Sequence, residues 1–321
     1  MSDPPRHTVS VVTPSFNQGA FIGETIESVL GQEGDFSLDY VVVDGASTDD
    51  SVEVIRRYES LLDGGKWPIR CRGIRYRWVS EKDRGQADAI AKGFRMAEGE
   101  ILAWLNSDDT YLPGAIARAV DLFDREPDAQ AVFGMAHFTD EKGGGLGKYP
   151  TGPFGYRELA TFNFVCQPST FFRRSAFEAV GGLDTGLRYV MDYDLWIRMA
   201  ARYRFAYLPE LLSTYRLHTA SKTMAAGDAS ANHEEALRIV MTHYGWAPAN
   251  RVFAWCHHRL KSKLPPSLAD AGVLLVPFSL LAALWKYLRL NRAVRREDLY
   301  LLRPRYVRKL FQRQIDIYRD Y

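Results

Sequence analysis

The segment ILAWLNSDD, residues 101–109, decides how this chain is interpreted. Its first five residues are apolar, which is typical of a strand buried on both faces of a sheet. Asp108 and Asp109 come directly after it, and in an open α/β sheet ligands bind at the carboxyl ends of the strands. Adjacent carboxylates repel each other unless a cation lies between them. The pattern therefore predicts a Mg²⁺ or Mn²⁺ site that also holds a ligand phosphate, although the same residues fit a solvated turn before a helix.

Strand and helix patterns alternate along the chain up to this segment. We predict strands at 9–13, 40–43, 75–79 and 101–105, with helices at 20–30, from about 47 to 58, and at 86–97. Repeated strand–helix–strand units predict an α/β fold, in which a mostly parallel central sheet is flanked by helices.

Polar residues follow each of the four predicted strands. In chain order these are Ser15 and Asn17, then Asp44, then Glu81 and Asp83, then Asp108 and Asp109. Because the carboxyl ends of parallel strands meet at one edge of a sheet, we expect these side chains to form one site.

The patterns beyond residue 110 are shorter and more varied. The Gly- and Lys-rich segment 141–155 is predicted to be a loop, and 169–172 a short strand. A helix is predicted to open at Met191, followed by two strand-like pieces at 205–208 and 212–217.

The composition is that of a globular protein with a real core. The chain has 321 residues, 46% of them apolar and 25% charged, which is enough for one large or two ordinary domains. Its three cysteines are far apart and have neither metal-ligand spacing nor a disulfide framework, which favours a reducing compartment. Residues 1–7 have no apolar stretch typical of a secretory signal, so we expect a cytoplasmic protein.

Charge is distributed unevenly along the chain. Residues 251–321 carry 15 Lys and Arg against 5 Asp and Glu, whereas the rest carries 26 against 34. Within this basic tail, residues 271–285 are uncharged and too short to span a membrane, which takes about 20 residues. Apolar residues flanked by cations and Trp285 are typical of an interfacial helix, so we expect a peripheral contact at the inner face of the cell membrane. A buried C-terminal helix or a homo-oligomer interface remains the alternative.

Eight segments together resemble glycosyltransferase family 2, the inverting enzymes of GT-A fold, and within it bacterial enzymes of cell-surface polysaccharide synthesis. The segments occur in the family's order: TPSFN (13–17), VVDGASTDDS (42–51), SEKDRG (80–85), GEILAWLNSDD (99–109), QPS (167–169), GGLD (181–184), MDYDLW (191–196) and YRLH (215–218). The resemblance covers roughly residues 8–222 and implies a nucleotide-sugar donor, usually with a divalent metal. The basic tail lies outside it.

The resemblance implies a set of nucleotide-binding residues. They are Thr13, Pro14 and Ser15 at the end of the first strand, Asp44 at the base, Asp83 and Arg84 beside the base and ribose, and Asp108. A carboxylate at Asp44 also suits the base on chemical grounds, because an imide N–H needs an acceptor. Capping of a helix is the alternative for Asp44, and an ion pair with Asp83 or Glu81 is the alternative for Arg84.

The resemblance also implies the metal ligands. Asp108 and Asp109 look like the family's metal-binding pair, and His218 like a histidine that closes on the metal or the diphosphate. Many members have Asp where this chain has Asn106, which leaves two carboxylates, still adequate for a cation that completes its shell with diphosphate and water. Arg216 and Lys222 are candidates for neutralising the leaving diphosphate.

Asp192 resembles the family's catalytic base. Its usual acidic neighbour is replaced by Met191, and Asp194, two residues on, is the competing carboxylate. Gln167 and Trp196 are predicted to border the acceptor.

Taken together, these features predict a metal-dependent inverting glycosyltransferase that moves a sugar, UDP-linked by preference, to a saccharide or lipid-linked acceptor. Its catalytic domain is predicted at 1–245, divided into a nucleotide-sugar part (8–110) and an acceptor part (111–222), with a basic helical extension at 246–321. The alternatives are a sugar-phosphate nucleotidyltransferase, whose Gly-rich basic loop the first strand lacks, and an inactive docking scaffold. Aromatic residues interleave with the tail's cations, but without a nucleic-acid-binding motif, so we expect no nucleic-acid partner.

Overall fold

Nine strands form one sheet in the computed structural model, which describes residues 7–218, 229–264, 272–296 and 298. The strands are β1 (Thr8–Ser15), β2 (Ser37–Asp44), β3 (Gly73–Ser80), β4 (Ile101–Trp104), β5 (Thr110–Tyr111), β6 (Ala129–Thr139), β7 (Gly145–Lys148), β8 (Thr170–Arg173) and β9 (Arg204–Arg216). The helices are α1 (Gly19–Leu30), α2 (Ser51–Asp63), α3 (Gln86–Met96), α4 (Ala115–Arg125), α5 (Arg174–Ala179), α6 (Met191–Ala200), α7 (Ala229–Tyr244), α8 (Ala249–Lys261) and α9 (Gly272–Asn291).

The four predicted strands are neighbours in the order β3-β2-β1-β4, and all three pairings among them are parallel. The sheet continues through β8, β6, β9 and β5, and β7 pairs with β6. Six strands, β1 to β4 with β6 and β9, run in the same direction. The prediction of a mostly parallel α/β sheet is therefore confirmed.

Strand β4 shows why its sequence is apolar at every position. Ile101, Ala103 and the following Leu105 pack into the core on one face of the sheet. Trp104 points to the opposite face, where its ring meets Phe94 of α3. A strand covered by helices on both sides cannot alternate apolar with polar residues, and this is what produces the continuous apolar run.

Two predictions in the second half of the sheet were wrong in detail. The predicted loop 141–155 contains β7, whose four residues are all exposed and therefore have no apolar alternation that could signal a strand. The two pieces predicted at 205–208 and 212–217 are one strand, β9. Pro209 lies in its middle, and β9 accommodates the interruption by shifting its register against β6 between Phe133 and Met135.

The chain divides into two compact units. The first comprises Met1–Pro153 with Phe164–Leu217, and the second comprises Phe154–Asn163 with His218–Tyr321. Since a compact unit need not coincide with a functional domain, the predicted boundary at residue 245 stays a prediction.

The second unit contains α7, α8 and α9. Its apolar core includes Val252 and Phe253 of α8 and Ala283 and Tyr287 of α9. Helix α9 is longer than the apolar stretch predicted at 271–285. None of the helices in the described residues combines the length and the apolar character that crossing a membrane requires.

Candidate active site

Asp44 lies at the C-terminal end of β2, opposite Ser15 of β1 and Ser80 of β3. Its buried carboxylate accepts hydrogen bonds from the Ser47 amide (2.9 Å) and from the hydroxyls of Ser47 (2.5 Å) and Ser80 (2.6 Å). These bonds hold the carboxylate in the turn before α2. The residue at the cap of α2 is Asp50, so Asp44 does not cap that helix.

The end of β1 contributes a buried hydroxyl without a partner. Ser15 is 4% exposed, and its Oγ has no hydrogen-bond partner in the described residues. The hydroxyl of Thr13, in contrast, is hydrogen-bonded to Tyr40 in the core (2.9 Å), and Pro14 is buried. Because an unpaired buried hydroxyl is costly, Ser15 is the residue of this trio best suited to contact a ligand.

Phe16 is a functional candidate that the sequence analysis missed. It follows Ser15 directly, yet its side chain is 59% exposed, and its ring lies close to Gly45. A Cβ added at Gly45 would lie 2.7 Å from a carboxylate oxygen of Asp83, so the Asp83 side chain also crosses this glycine. An open aromatic face beside two carboxylates is suited to stacking a planar base. The sequence did contain a signal, because an aromatic residue in a turn is not needed to fill the core and so indicates another role.

Arg84 takes neither of the ion pairs weighed for it. Its guanidinium pairs with Asp88 on α3 (2.9 Å), and Glu81 pairs with Lys92 (2.6 Å). The Arg84 side chain is 80% exposed, so the Asp88 pair is a weak surface interaction and leaves the arginine available to a ligand.

Asn106 organises the turn that carries the two aspartates. Its side-chain amide donates to Asp109 Oδ2 (3.3 Å) and to Gln167 Oε1 (3.2 Å), and its oxygen accepts from Gln86 Nε2 (2.7 Å). Gln167 in turn donates to the Trp104 carbonyl (2.6 Å). An aspartate at position 106 would present a carboxylate to Asp109, so the departure from the family's usual residue gives a hydrogen-bonded turn in place of a repulsive one.

Arg216 surrounds the same turn from the end of β9. Its amide N–H donates to Asp109 Oδ1 (2.9 Å), and its Nε donates to the Asp108 carbonyl (3.0 Å). The remaining guanidinium nitrogens donate to the Glu141 carbonyl (2.8 Å) and to the Glu24 carboxylate. With 6% of its surface exposed, Arg216 has a structural role in fixing the aspartate turn.

The two aspartates differ in their environment. Asp109 is 1% exposed, whereas Asp108 is half-buried. Burial, and next the negative charge of Asp108, raises the pKa of Asp109 well above the usual carboxyl range, despite the opposing hydrogen bonds from Arg216 and Asn106. A cation at this turn would relieve both the repulsion and the desolvation.

The donor set fits a hard divalent cation bound together with a ligand. Among the residues that the structure describes, no three His, Cys, Asp or Glu side chains are arranged to hold a metal by themselves. Two carboxylates are what Mg²⁺ and Mn²⁺ commonly take from a protein when phosphate and water oxygens complete the shell. His218 is buried and belongs to the second unit, so its predicted contact with the metal stays a prediction, and Lys222 lies outside the described residues.

Asp192 lies in the first turn of α6. Trp196 is one helical turn further on, on the same face, and its ring stacks on Trp104 with centroids 5.5 Å apart. Trp104 precedes Asn106 by two residues. Burial, followed by the charges of Asp109 and Asp192, raises the pKa of the Cys166 thiol, so both carboxylates lie within electrostatic reach of one sulfur atom.

Asp194, the alternative candidate for the catalytic base, forms an ion pair within its own helix. It is buried and pairs with Arg198 (2.8 Å), whose guanidinium also donates to the carbonyls of Val180 and Gly182. Asp194 therefore anchors the loop that precedes α6. Trp196 is fully buried and Gln167 nearly so, which gives both of them a supporting place behind the site rather than an open surface toward an acceptor.

Comparison with known sequences shows the family. The model of the family described as "Glycosyl transferase family 2" matches residues 10–181, more than half of the chain. An uncharacterized glycosyltransferase of Nostoc sp. is 28% identical over 244 residues, covering 70% of each chain. Chondroitin synthase of Escherichia coli is 22% identical over 250 residues, which cover 76% of this chain but only 35% of that enzyme.

Comparison with solved structures agrees with the fold. The structure of S. aureus TarS 1-349 in complex with UDP-GlcNAc superposes with a TM-score of 0.59 at 17% identity, covering 97% of this chain and 89% of that one. Mannosyltransferase PcManGT from Pyrobaculum calidifontis, solved with GDP-Man and Mn²⁺, gives a TM-score of 0.52 at 20% identity, covering 95% and 81%. These likenesses confirm the predicted GT-A type of fold.

Proposed function

Because the chain belongs to glycosyl transferase family 2, we propose that it transfers a sugar from a UDP-linked donor to an acceptor hydroxyl with inversion, in the synthesis of a surface polysaccharide or glycolipid. The observation that carries the proposal is the position of Asp44 and the Asp108–Asp109 turn at the same edge of the sheet. Trp196 of the Asp192 helix stacks on Trp104, in the strand that precedes this turn. The UDP-GlcNAc complex of TarS and the similarity to chondroitin synthase support the choice of donor and product. Membership of the family argues against the nucleotidyltransferase and the inactive scaffold.

The nucleotide base is assigned to the ends of β1 and β2. Asp44 accepts the imide N–H, and the exposed face of Phe16 stacks on the ring. Ser15 donates its unpaired hydroxyl to the nucleotide. Asp83 and Arg84, at the mouth of the same edge, are assigned to the ribose side.

Asp108 and Asp109 are the residues that would hold a divalent cation. When bound, the cation neutralises the donor's diphosphate and the negative charge that develops there. Hydrogen bonds from Asn106 and Arg216 to Asp109 fix this turn in the ligand-free protein, so the turn needs little reorganisation when the cation binds. The Mn²⁺ in the PcManGT structure supports a divalent metal.

Asp192 is the proposed general base. It takes the proton from the acceptor hydroxyl while the acceptor oxygen forms a bond to the anomeric carbon, and the bond from that carbon to the phosphate oxygen breaks. A single displacement of this kind inverts the anomeric centre. Asp194 is held by Arg198 and so is not available for this role.

The acceptor is proposed to be a saccharide or a lipid-linked saccharide. A lipid-linked acceptor would place the enzyme at the inner face of the cell membrane, with the second unit as the part that meets the lipid.

Substituting Asp192 tests the assignment of the base. We expect Asp192→Asn to lower kcat for transfer by about 10²- to 10⁴-fold, because proton removal is lost while the side-chain shape is kept. The dissociation constant for UDP with Mn²⁺, measured by calorimetry, should change less than about twofold, since no donor contact is removed. Product NMR should show inversion in the wild type.

The matched control is Asp121→Asn, the same change at an exposed carboxylate on α4. It should leave both kcat and donor affinity unchanged. A loss of donor affinity in Asp192→Asn as large as the loss of turnover would contradict the role of general base and indicate a structural one.

A further inference from the structure

Helix α9 exposes a continuous apolar surface. We define the outer stripe as its five large apolar side chains that are between 45% and 66% exposed: Phe278, Leu281, Leu284, Trp285 and Leu288. At about 100° per residue these positions fall within an arc of about 120° on one side of the helix. Half of the ten exposed large apolar side chains in the described part of the chain belong to this stripe. Scattered surface apolar residues are ordinary, but an apolar patch of this kind indicates a binding surface.

The outer stripe is not the face that α9 uses for folding. The inner face, with Ala283 and Tyr287, packs against Val252 and Phe253 of α8, and His257 of α8 is hydrogen-bonded to Ser279 (3.0 Å). The helix therefore has two apolar faces, of which one stabilises the unit. The composition of the other face needs a second explanation.

Cations lie at the C-terminal end of the outer stripe. The Arg289 guanidinium lies over the exposed ring of Trp285, 5.2 Å from its centroid. Arg292, Arg295 and Arg296 follow the helix and are exposed. Residues 271–298 contain five Lys and Arg against Glu297 and Asp298, so the segment keeps a net charge of +3.

We infer that the outer stripe of α9 docks on an anionic phospholipid surface, with the stripe entering the interface and the arginines contacting the head groups. Charge complementarity decides between a lipid surface and a second copy of the chain. Two copies joined through this face would bring two sets of arginines together, which is repulsive, whereas anionic lipid attracts each cation. An arginine over an interfacial tryptophan also matches the preference of both side chains for the boundary between lipid and water. The inference rests on the proposed function in one respect, because docking on lipid would bring the enzyme to a lipid-linked acceptor.

Vesicle co-sedimentation of the full chain tests the inference. Wild type should sediment with vesicles containing phosphatidylglycerol and much less with phosphatidylcholine alone, and 0.5 M NaCl should weaken the binding because salt screens the arginines. The stripe variant, Leu281→Ser with Trp285→Ser, should bind the anionic vesicles about tenfold or more weakly. The charge variant, Arg292→Gln with Arg295→Gln, should bind the anionic vesicles about fivefold more weakly for each cation removed.

The matched control carries serine at two exposed apolar residues of the first unit, Ile69→Ser with Leu146→Ser. It should bind vesicles as the wild type does, and circular dichroism should show that all variants remain folded. Donor hydrolysis in vesicle-free solution should be unchanged in the stripe variant, so a failure of docking and a failure of the proposed catalytic function give different results. Absent binding by the wild type, equal binding by the stripe variant, or a dimer in sedimentation velocity that the stripe variant abolishes would each overturn the inference.

Discussion

The two edges of the parallel half of the sheet both carry acidic residues, but these residues have different kinds of partner at each edge. At the N-terminal edge, Asp39 pairs with Arg77 (2.5 Å) and accepts from the Ser10 hydroxyl (2.7 Å), and Glu98 pairs with Arg75. At the C-terminal edge, Asp44 and Asp109 are held by hydroxyls, amides and backbone N–H groups. Arg216 directs its guanidinium to the carbonyls of Asp108 and Glu141 and to Glu24, while its backbone N–H donates to Asp109.

This difference distinguishes acids that are paired with arginines from acids that are held by uncharged donors, and the second arrangement is the one that we propose binds a ligand. Hydrogen-bond donors position a carboxylate without supplying an opposite charge, so the repulsion between Asp108 and Asp109 remains, and a cation at this turn would relieve it. A cavity of about 270 Å³ lies at the N-terminal edge and is lined by Asp39, Arg75 and Glu98 among others. The acids that line this cavity are already paired with arginines. We therefore assign the ligand site to the opposite edge, where uncharged donors hold Asp44 and Asp109.

Removing a carboxylate from each edge should give the sharpest contrast. Asp109→Ala should lower transfer activity by about 100-fold or more, because the cation site is lost. Asp39→Asn should leave kcat unchanged but lower the free energy of unfolding by about 1–3 kcal/mol, because a buried bond to a charged partner is removed. Steady-state kinetics and urea unfolding measure the two effects. Full activity of Asp109→Ala, or of the wild type in chelator, would contradict the metal assignment.

Arg216→Lys tests whether Arg216 acts through the hydrogen bonds that fix the aspartate turn rather than through its charge alone. Lysine keeps the charge but cannot replace the several donors of the guanidinium. We expect the affinity for UDP with Mn²⁺ to fall about tenfold, with a smaller change in kcat at saturation, because the aspartate turn is less well fixed. Arg174→Lys is the control, since its guanidinium also donates to backbone carbonyls, those of Gly99 and Phe94, at the other end of β4. Equal effects of the two substitutions would exclude a specific role of Arg216.

The raised pKa of Asp109 predicts a pH dependence of stability, which is the smallest of the predicted effects and has a defined sign. In the folded, metal-free protein the carboxylate is disfavoured, so stability falls as pH rises from the usual carboxyl pKa through the raised folded value. Cation binding needs the carboxylate, so the increase in Tm on adding Mn²⁺ with UDP should grow over the same window. Thermal unfolding at a series of pH values measures this. The increment should be absent in Asp109→Ala, and a wild-type increment that does not vary with pH would show that Asp109 is not a ligand.

The amino-acid sequence alone determined where the first four strands lie in the chain, that they form a mostly parallel sheet, and that acids follow several of them, whereas their order in the sheet came from the structure. Short apolar runs such as 40–43 and 101–105 are typical of strands covered on both faces, and the spacing between them leaves room for helical crossovers. Because parallel strands end at one edge, the meeting of Asp44 with the aspartate turn follows from local patterns.

Only the tertiary structure decided the partners of each side chain. Arg216 lies 107 residues from Asp109 in the chain, and no local pattern predicts their hydrogen bond. The exposure of Phe16, the unpaired hydroxyl of Ser15 and the commitment of Asp194 to Arg198 likewise depend on which elements pack together. A sequence specifies how each segment divides its apolar and polar residues, whereas the role of a single polar group depends on the donors, acceptors and charges that folding brings beside it.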